Sequence, residues 1–149
     1  MSMIRKAIPA DAEALHDLYF NHLTSYPAEE TQDMEVWREK LARFKNDPFY
    51  NILVGELDGQ VVSAVTLIVI ENLTHNLRPY ALIENVVTHA DYRGRYYATE
   101  LMNRASEIAR EHSCYKIMLL TGSKKDSTLR FYENCGYNRN EKTGFIKRL

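Results

Sequence analysis

The sequence predicts an α/β fold of the α+β kind, a mixed and mostly antiparallel sheet of six to seven strands flanked by about four helices. Three observations predict it. Residues 50–56 and 60–70 are extended apolar stretches joined by Asp58-Gly59, a pair that supplies the positive φ of a tight hairpin turn. Residues 97–109 place Tyr97, Ala98, Leu101, Met102, Ala105, Ile108 and Ala109 at spacings of three and four, with Glu100, Asn103, Arg104 and Glu107 on the other face. That helix follows at once on an apolar strand over residues 81–88, so strand and helix are joined by one short polar turn.

Taken in order, residues 3–8 open the chain as a strand, and Pro9-Ala10-Asp11 reads as a turn and N-cap for a helix through Leu15, Leu18 and Tyr19. Residues 21–33 are polar and irregular. Met34, Trp37, Leu41 and Phe44 recur at helical spacing and predict a second helix over residues 34–44. The hairpin follows, then a loop over residues 71–80, the strand 81–88 and the amphipathic helix. Residues 115–121 predict a strand, 127–134 a short helix stopped near Gly136, and 143–149 a closing strand.

The bulk properties narrow the function. A chain of 149 residues with 45% hydrophobic and 26% charged residues is expected to form a single domain over 1–149. The formal net charge of -1 gives no basic field for nucleic acid or an anionic membrane, so a small-molecule partner is expected. The longest apolar run, residues 61–70, is interrupted by Ser63 and Thr66 and has about half the ~20 residues of a membrane span. Two distantly spaced cysteines, Cys114 and Cys135, and an N-terminus unlike a signal peptide fit the reducing cytoplasm. The five histidines show no metal-ligand spacing, and no metal is expected.

The strand-turn-helix over residues 81–110 is the candidate anion site. Unpaired N–H groups at the helix start favour a pyrophosphate, Gly94 lets the backbone approach it, and Arg93 and Arg95 bring positive charge. Taken alone, the Arg-Gly-Arg turn reads more readily as solvated surface than as a ligand site.

The run Arg93-Gly94-Arg95-Tyr96-Tyr97-Ala98, together with Phe131-Tyr132-Glu133-Asn134-Cys135-Gly136-Tyr137, resembles the GNAT superfamily of N-acetyltransferases. Ile4 to Asp11 is similar to that family's opening strand and helix entry, and Ile83 to Val87 to its central strand. Cys114 to Ile117 with Phe131 to Tyr137 is locally similar to glucosamine-6-phosphate N-acetyltransferases. The sequence departs from the cofactor motif at Tyr96, where the family has glycine.

The resemblance implies acetyl-CoA as co-substrate, its pyrophosphate held by Arg93, Gly94, Arg95, Tyr96, Tyr97, Ala98 and Thr99, and its pantetheine arm on the backbone of Val86, Val87 and Thr88. It also implies a primary amine acceptor, an amino sugar or its phosphate among the options. Acceptor-side candidates are Tyr26, Arg78 and Tyr80, and Lys124 or Lys125 is the candidate for the 3'-phosphate. A homodimer paired through residues 143–149 is a further expectation.

The chemistry asks for a base. An alkyl ammonium with a pKa of about 10.4 is neutral at pH 7 in roughly one molecule in 2,500, a deficit of about 4.6 kcal/mol. Glu84, between apolar neighbours, is the candidate base if burial raises its pKa; it reads otherwise as a carboxylate paired at a sheet face. An oxyanion donor is expected from a backbone N–H near Val86 and Val87, which requires a local break in strand pairing. Tyr132 is the candidate proton donor to the departing thiolate, or else a packed aromatic. Acetylation of a protein lysine or N-terminus, and a non-catalytic CoA sensor suggested by Tyr96, are the competing readings.

Overall fold

A computed structural model describes residues 2–23 and 32–149. Five strands, β1 (Ser2–Lys6), β2 (Tyr50–Leu57), β3 (Gln60–Ile70), β4 (Tyr80–Thr88) and β5 (Ile117–Leu119), form one sheet in chain order. All neighbours are antiparallel except β4 and β5, which run parallel. The helices are α1 (Ala12–Asp17), α2 (Met34–Lys45), α3 (Thr74–Leu77), α4 (Tyr97–Glu111) and α5 (Asp126–Asn134). A parallel pair needs a crossover, and α4 supplies it. No helix among the described residues is long and apolar enough to cross a membrane.

The hairpin forms as the sequence predicts: Asp58 at φ 50 and Gly59 at φ 81 place both central residues in the left-handed region, matching the twist of β2 and β3. Alternation along the strands then feeds two cores. Leu53, Val65, Leu67, Ala81 and Ile83 meet Leu101, Met102, Ala105 and Ile108 of α4, with Phe131 and Tyr132 of α5 packed against them. On the other face Ile52, Val54, Ala64 and Val87 meet Leu15 and Leu18 of the first helix and Leu41 of α2. The first helix continues past α1 as a π-helical turn over Leu18–His22. Arg5 ties β1 to that helix's entry, donating two hydrogen bonds to Asp11 at 2.7 and 2.9 Å.

The structure corrects three expectations about architecture. The sheet has five strands among the described residues rather than six to seven, because residues 143–149 form no strand. A strand exists only by pairing, and β5 offers a ladder of three residues; the tail passes Leu120 closely at Gly144 and leaves Phe145 89% and Ile146 64% exposed. The strand expected over 115–121 shrinks to Ile117–Leu119 for the same reason. Among the described residues five α-helices replace the expected four or so. The extra one, α3, lies in the predicted 71–80 loop and contains a left-handed turn, with His75, Asn76 and Leu77 at φ 57, 59 and 63.

Candidate active site

The first half of the site is the end of α4. Leu101, Met102, Ala105, Ile108 and Ala109 bury one face of this helix and fix its axis against the sheet. Its N-terminus carries no side-chain cap, and the first helical bond runs from Glu100 N–H to the Tyr96 carbonyl at 3.0 Å. The N–H groups of Tyr97, Ala98 and Thr99 therefore precede the helical ladder, at the positive end of the helix dipole. Gly94 at φ 76 and Tyr96 at φ 67 fold the preceding turn. Tyr96 thus takes the backbone conformation that glycine adopts freely, and its side chain is 76% exposed. An open groove of about 600 Å³ runs from Tyr96 and Thr99 to Ser127, Phe131 and Cys135 of α5.

The two arginines of the turn do different work. Arg93 donates to the Thr88 carbonyl at 3.2 Å and to the His22 carbonyl at 2.8 Å, so its guanidinium fastens the turn to the strand end and to the first helix. Arg95 lies 5.7 Å from the Tyr92 ring centroid. Lys124 and Lys125 are exposed in the loop leading into α5.

The second half of the site is a fork in the sheet. β5 pairs with β4 only at Ala81, Leu82 and Ile83, so from Glu84 onward β4 has a strand neighbour on one side alone. Within this free half the register to β3 slips: Thr66 faces Glu84 and Ala64 faces Val87, leaving Val65 opposite both Asn85 and Val86. This is a β-bulge, and Asn85 at φ 53 makes it. The break expected near Val86 and Val87 is present. Its sequence signal is Asn85 itself, a residue disfavoured in strands and tolerant of the left-handed region.

Glu84 stands beside the bulge and is exposed, not buried as its apolar neighbours suggest. The loss of β5 as a neighbour uncovers it. Tyr132, half-buried on α5, packs against the core that holds Ile83; burial, then Cys135, then the charge of Glu84 push its phenol above the usual tyrosine range. Glu84 also acts on Tyr50, whose phenol is raised first by burial and then by that charge. Tyr50 stacks on Phe44 with centroids 3.9 Å apart. Tyr19 lies in the same neighbourhood, its phenol pushed up to about 12 mainly by burial, with Thr66 as hydrogen-bond partner. Glu84 therefore lies within electrostatic reach of Tyr132 and Tyr50, and Tyr50 within reach of Tyr19; of these four, sequence reasoning found only Glu84 and Tyr132. Tyr19 and Tyr50 gave no signal, because each reads as an ordinary apolar-face residue until the sheet is assembled.

Of the acceptor-side candidates that are described, neither Arg78 nor Tyr80 stands at the fork. Tyr26 lies outside the described residues. Arg78 donates to the carbonyls of Ser113 and Cys114 at 3.0 and 3.1 Å, a clamp across the closed end of the β4 and β5 pair. Tyr80 opens β4 at that same end, edge-on to Tyr115 and 5.3 Å from the Lys116 ammonium. A surface depression of about 790 Å³ lined by Phe49, Leu73, Leu77, Pro79 and His112 also lies where β4 begins. It is larger than the α4 groove but remote from the fork.

One cluster was not foreseen. Asp17, His22 and His89 bring ligand-type atoms within 4.8 Å of one another, although they are scattered in sequence. Their ring nitrogens oppose a metal. His22 Nδ1 accepts the Ala90 N–H at 3.2 Å and His89 Nδ1 accepts the Asp91 N–H at 3.1 Å. A metal on Nε2 would put a proton on Nδ1, facing those donors, whereas ligating histidines donate from the second nitrogen.

The forked sheet, the bulge at the fork and the uncapped helix beyond it leave backbone groups open to a ligand. The family model of the acetyltransferase (GNAT) family matches residues 12–137. The chain belongs to that family, and as a member it is classed as an acyltransferase. A solved structure from Agrobacterium tumefaciens, described only at the level of an acetyltransferase, is 40% identical over 99% of both chains with a TM-score of 0.85. A Trypanosoma brucei brucei glucosamine 6-phosphate N-acetyltransferase is 32% identical over 84 residues, 56% of this chain and 55% of that protein. A Drosophila melanogaster protein described at the same activity is 29% identical over 91 residues, 61% of this chain and 40% of that one. The chain thus aligns with about half the length of these curated relatives.

Proposed function

We propose that this chain is an acetyl-CoA-dependent N-acetyltransferase acting on a primary amine of a small molecule, with an amino sugar or its phosphate as the first acceptor to test. The observation that carries the reading is the unpaired half of β4, bulged at Asn85, opening toward the uncapped start of α4. A thioester ligand supplies the acetyl group. The residues present fit such a ligand. Free N–H groups of Tyr97, Ala98 and Thr99, with Gly94, Arg95 and Tyr96 around them, suit a pyrophosphate, and Arg93 holds the turn in place. The open edge from Val86 to Thr88 suits an extended amide-bearing arm added like a strand.

At the fork, Glu84 is exposed rather than buried, so its place beside the bulge is what makes it the acceptor of the incoming ammonium's proton, directly or through water, and the bulge turns backbone N–H groups out of the ladder toward the developing oxyanion. Tyr132 keeps its proton because its phenol is raised, and so remains a donor for the leaving thiolate. Tyr19 and Tyr50 offer apolar walls with polar tips to a small acceptor. The sensor reading rested on Tyr96, and the glycine-like backbone of that residue supports a working cradle instead.

A homodimer and a cytoplasmic location complete the proposal. The open edge of β5 and the exposed Phe145 and Ile146 support a second copy as occupant of that edge, checked by light scattering on the protein and a tail truncation. The two free cysteines fit a reducing compartment.

Thiol release from acetyl-CoA across a panel of amines, amino sugars and their phosphates tests the activity. Turnover with at least one small amine is the expected result. Stabilisation by acetyl-CoA in a thermal shift without turnover of any amine or peptide favours the sensor, and no stabilisation removes the cofactor reading.

A further inference from the structure

The turn that begins the proposed cofactor cradle is held by a residue the reaction itself does not use. His22 ends the π-helical turn Leu18–His22 and touches the segment after β4 in three ways. Its Nδ1 accepts the Ala90 N–H at 3.2 Å, its carbonyl accepts from Arg93 at 2.8 Å, and its ring lies 4.0 Å from that of His89 at an interplanar angle of 33°. His89 in turn caps the next turn, accepting the Asp91 N–H through Nδ1 at 3.1 Å. Residues 89–93, which lead directly into Gly94 and Tyr96, are therefore moored to the first helix by one imidazole and one carbonyl of the same residue.

The direction of the hydrogen bond matters. A backbone N–H can only donate, so Nδ1 of His22 must be unprotonated and its proton must sit on Nε2. Nε2 faces Asp17 at 3.5 Å, and the His22 side chain is 14% exposed. Protonation would place a second N–H on Nδ1, directly against the Ala90 N–H, and would set a cation beside the tilted His89 ring. The charged and titratable groups around His22 come from each neighbouring element: Asp17 from α1, His89, Asp91 and Tyr92 from the turn after β4, and Arg93 from the cradle entry.

We infer that His22 is a positioning residue for acetyl-CoA: as a neutral Nδ1 acceptor it holds the 89–93 turn that presents the cradle, and its protonation releases that turn and weakens cofactor binding. This rests on the reading of the α4 turn as the acetyl-CoA site. The sign follows from the acceptor role. Binding is strongest when His22 is a neutral acceptor and weakens once Nδ1 carries a proton.

The side-chain chemistry provides a discriminating pair of variants. Asparagine places an acceptor oxygen near the position of Nδ1 and does not titrate, whereas glutamine places its amide nearer Nε2. Titration calorimetry with acetyl-CoA on the wild type, His22→Asn, His22→Gln and His22→Ala, between about pH 5.5 and 8, tests the inference. At the upper pH, His22→Gln and His22→Ala are expected to bind about five- to tenfold more weakly, the change appearing in KM rather than kcat, while His22→Asn binds as the wild type does. On acidification, the wild type loses affinity beyond what His22→Asn loses; the latter measures protonation of the ligand phosphate and of other groups.

If His22→Ala fails to fold, the Asn and Gln variants carry the comparison alone. Equal affinity for all variants, or parallel acid loss in wild type and His22→Asn, overturns the inference. Absence of acetyl-CoA binding by the wild type at the upper pH instead overturns the cofactor reading, and this inference with it.

Discussion

The two halves of β4 belong to one continuous strand and do opposite things. From Ala81 to Ile83 it is flanked on both sides, by β3 and β5, and Ala81 and Ile83 are 0% and 1% exposed. From Glu84 to Thr88 it has β3 alone, and that pairing slips at Asn85. The paired half holds Arg78 and Tyr80 in structural contacts at its start, while the unpaired half exposes Glu84 and faces Tyr132. The lesson is that a strand becomes a site where its ladder stops. Backbone groups with no strand partner are available to a ligand, and the rigid half beside them fixes where they are.

Variants can break this contrast or sharpen it. Ile83→Ala removes a buried side chain from the paired half and is expected to destabilise the fold by about 2–5 kcal/mol in denaturant titration, with acetyl-CoA affinity of the folded protein retained. Glu84→Gln, one residue further along, should do the reverse: unchanged stability and a fall in kcat of about 100-fold. Comparable stability losses for the two would erase the distinction between the halves.

Tyr132→Phe is expected to lower kcat by about tenfold or more, with acetyl-CoA binding intact, as read by single-turnover kinetics and calorimetry. Because its phenol is raised, wild-type kcat should show no descending limb below about pH 10 from loss of the Tyr132 proton. A limb well below that value assigns the proton elsewhere. Asn85→Val forces a β-branched residue into the left-handed region and should cost about 1–2 kcal/mol with reduced turnover, whereas Asn85→Gly keeps both. Tyr96→Gly has the smallest effect. Relief of a left-handed tyrosine, worth about 1–2 kcal/mol, is largely offset by about 0.4–1 kcal/mol of unfolded-state entropy, so stability and acetyl-CoA affinity should be unchanged or slightly higher. Weaker binding would show that the Tyr96 ring itself contacts the cofactor.

The sequence by itself determined the pieces whose signals lie within a few residues. Asp58-Gly59 specified its hairpin through the φ values those residues accept, and the spacing of Leu101, Met102, Ala105 and Ile108 specified α4 and its buried face. The cradle turn was legible too, although the glycine-like conformation of Tyr96 was not, since a tyrosine there advertises nothing about its φ. What only the tertiary structure decided depends on who the neighbours are. The apolar residues beside Glu84 imply burial, and the three-residue ladder of β5 withdraws it. Phe145 and Ile146 read as a strand and find none to pair with. Tyr19, Tyr50 and His22 acquire roles only when the first helix lies across the sheet, because hydrogen bonds and fields act over a few ångströms of space whatever the separation along the chain. Local stereochemistry wrote the elements, and long-range packing placed the chemistry where the sheet comes apart.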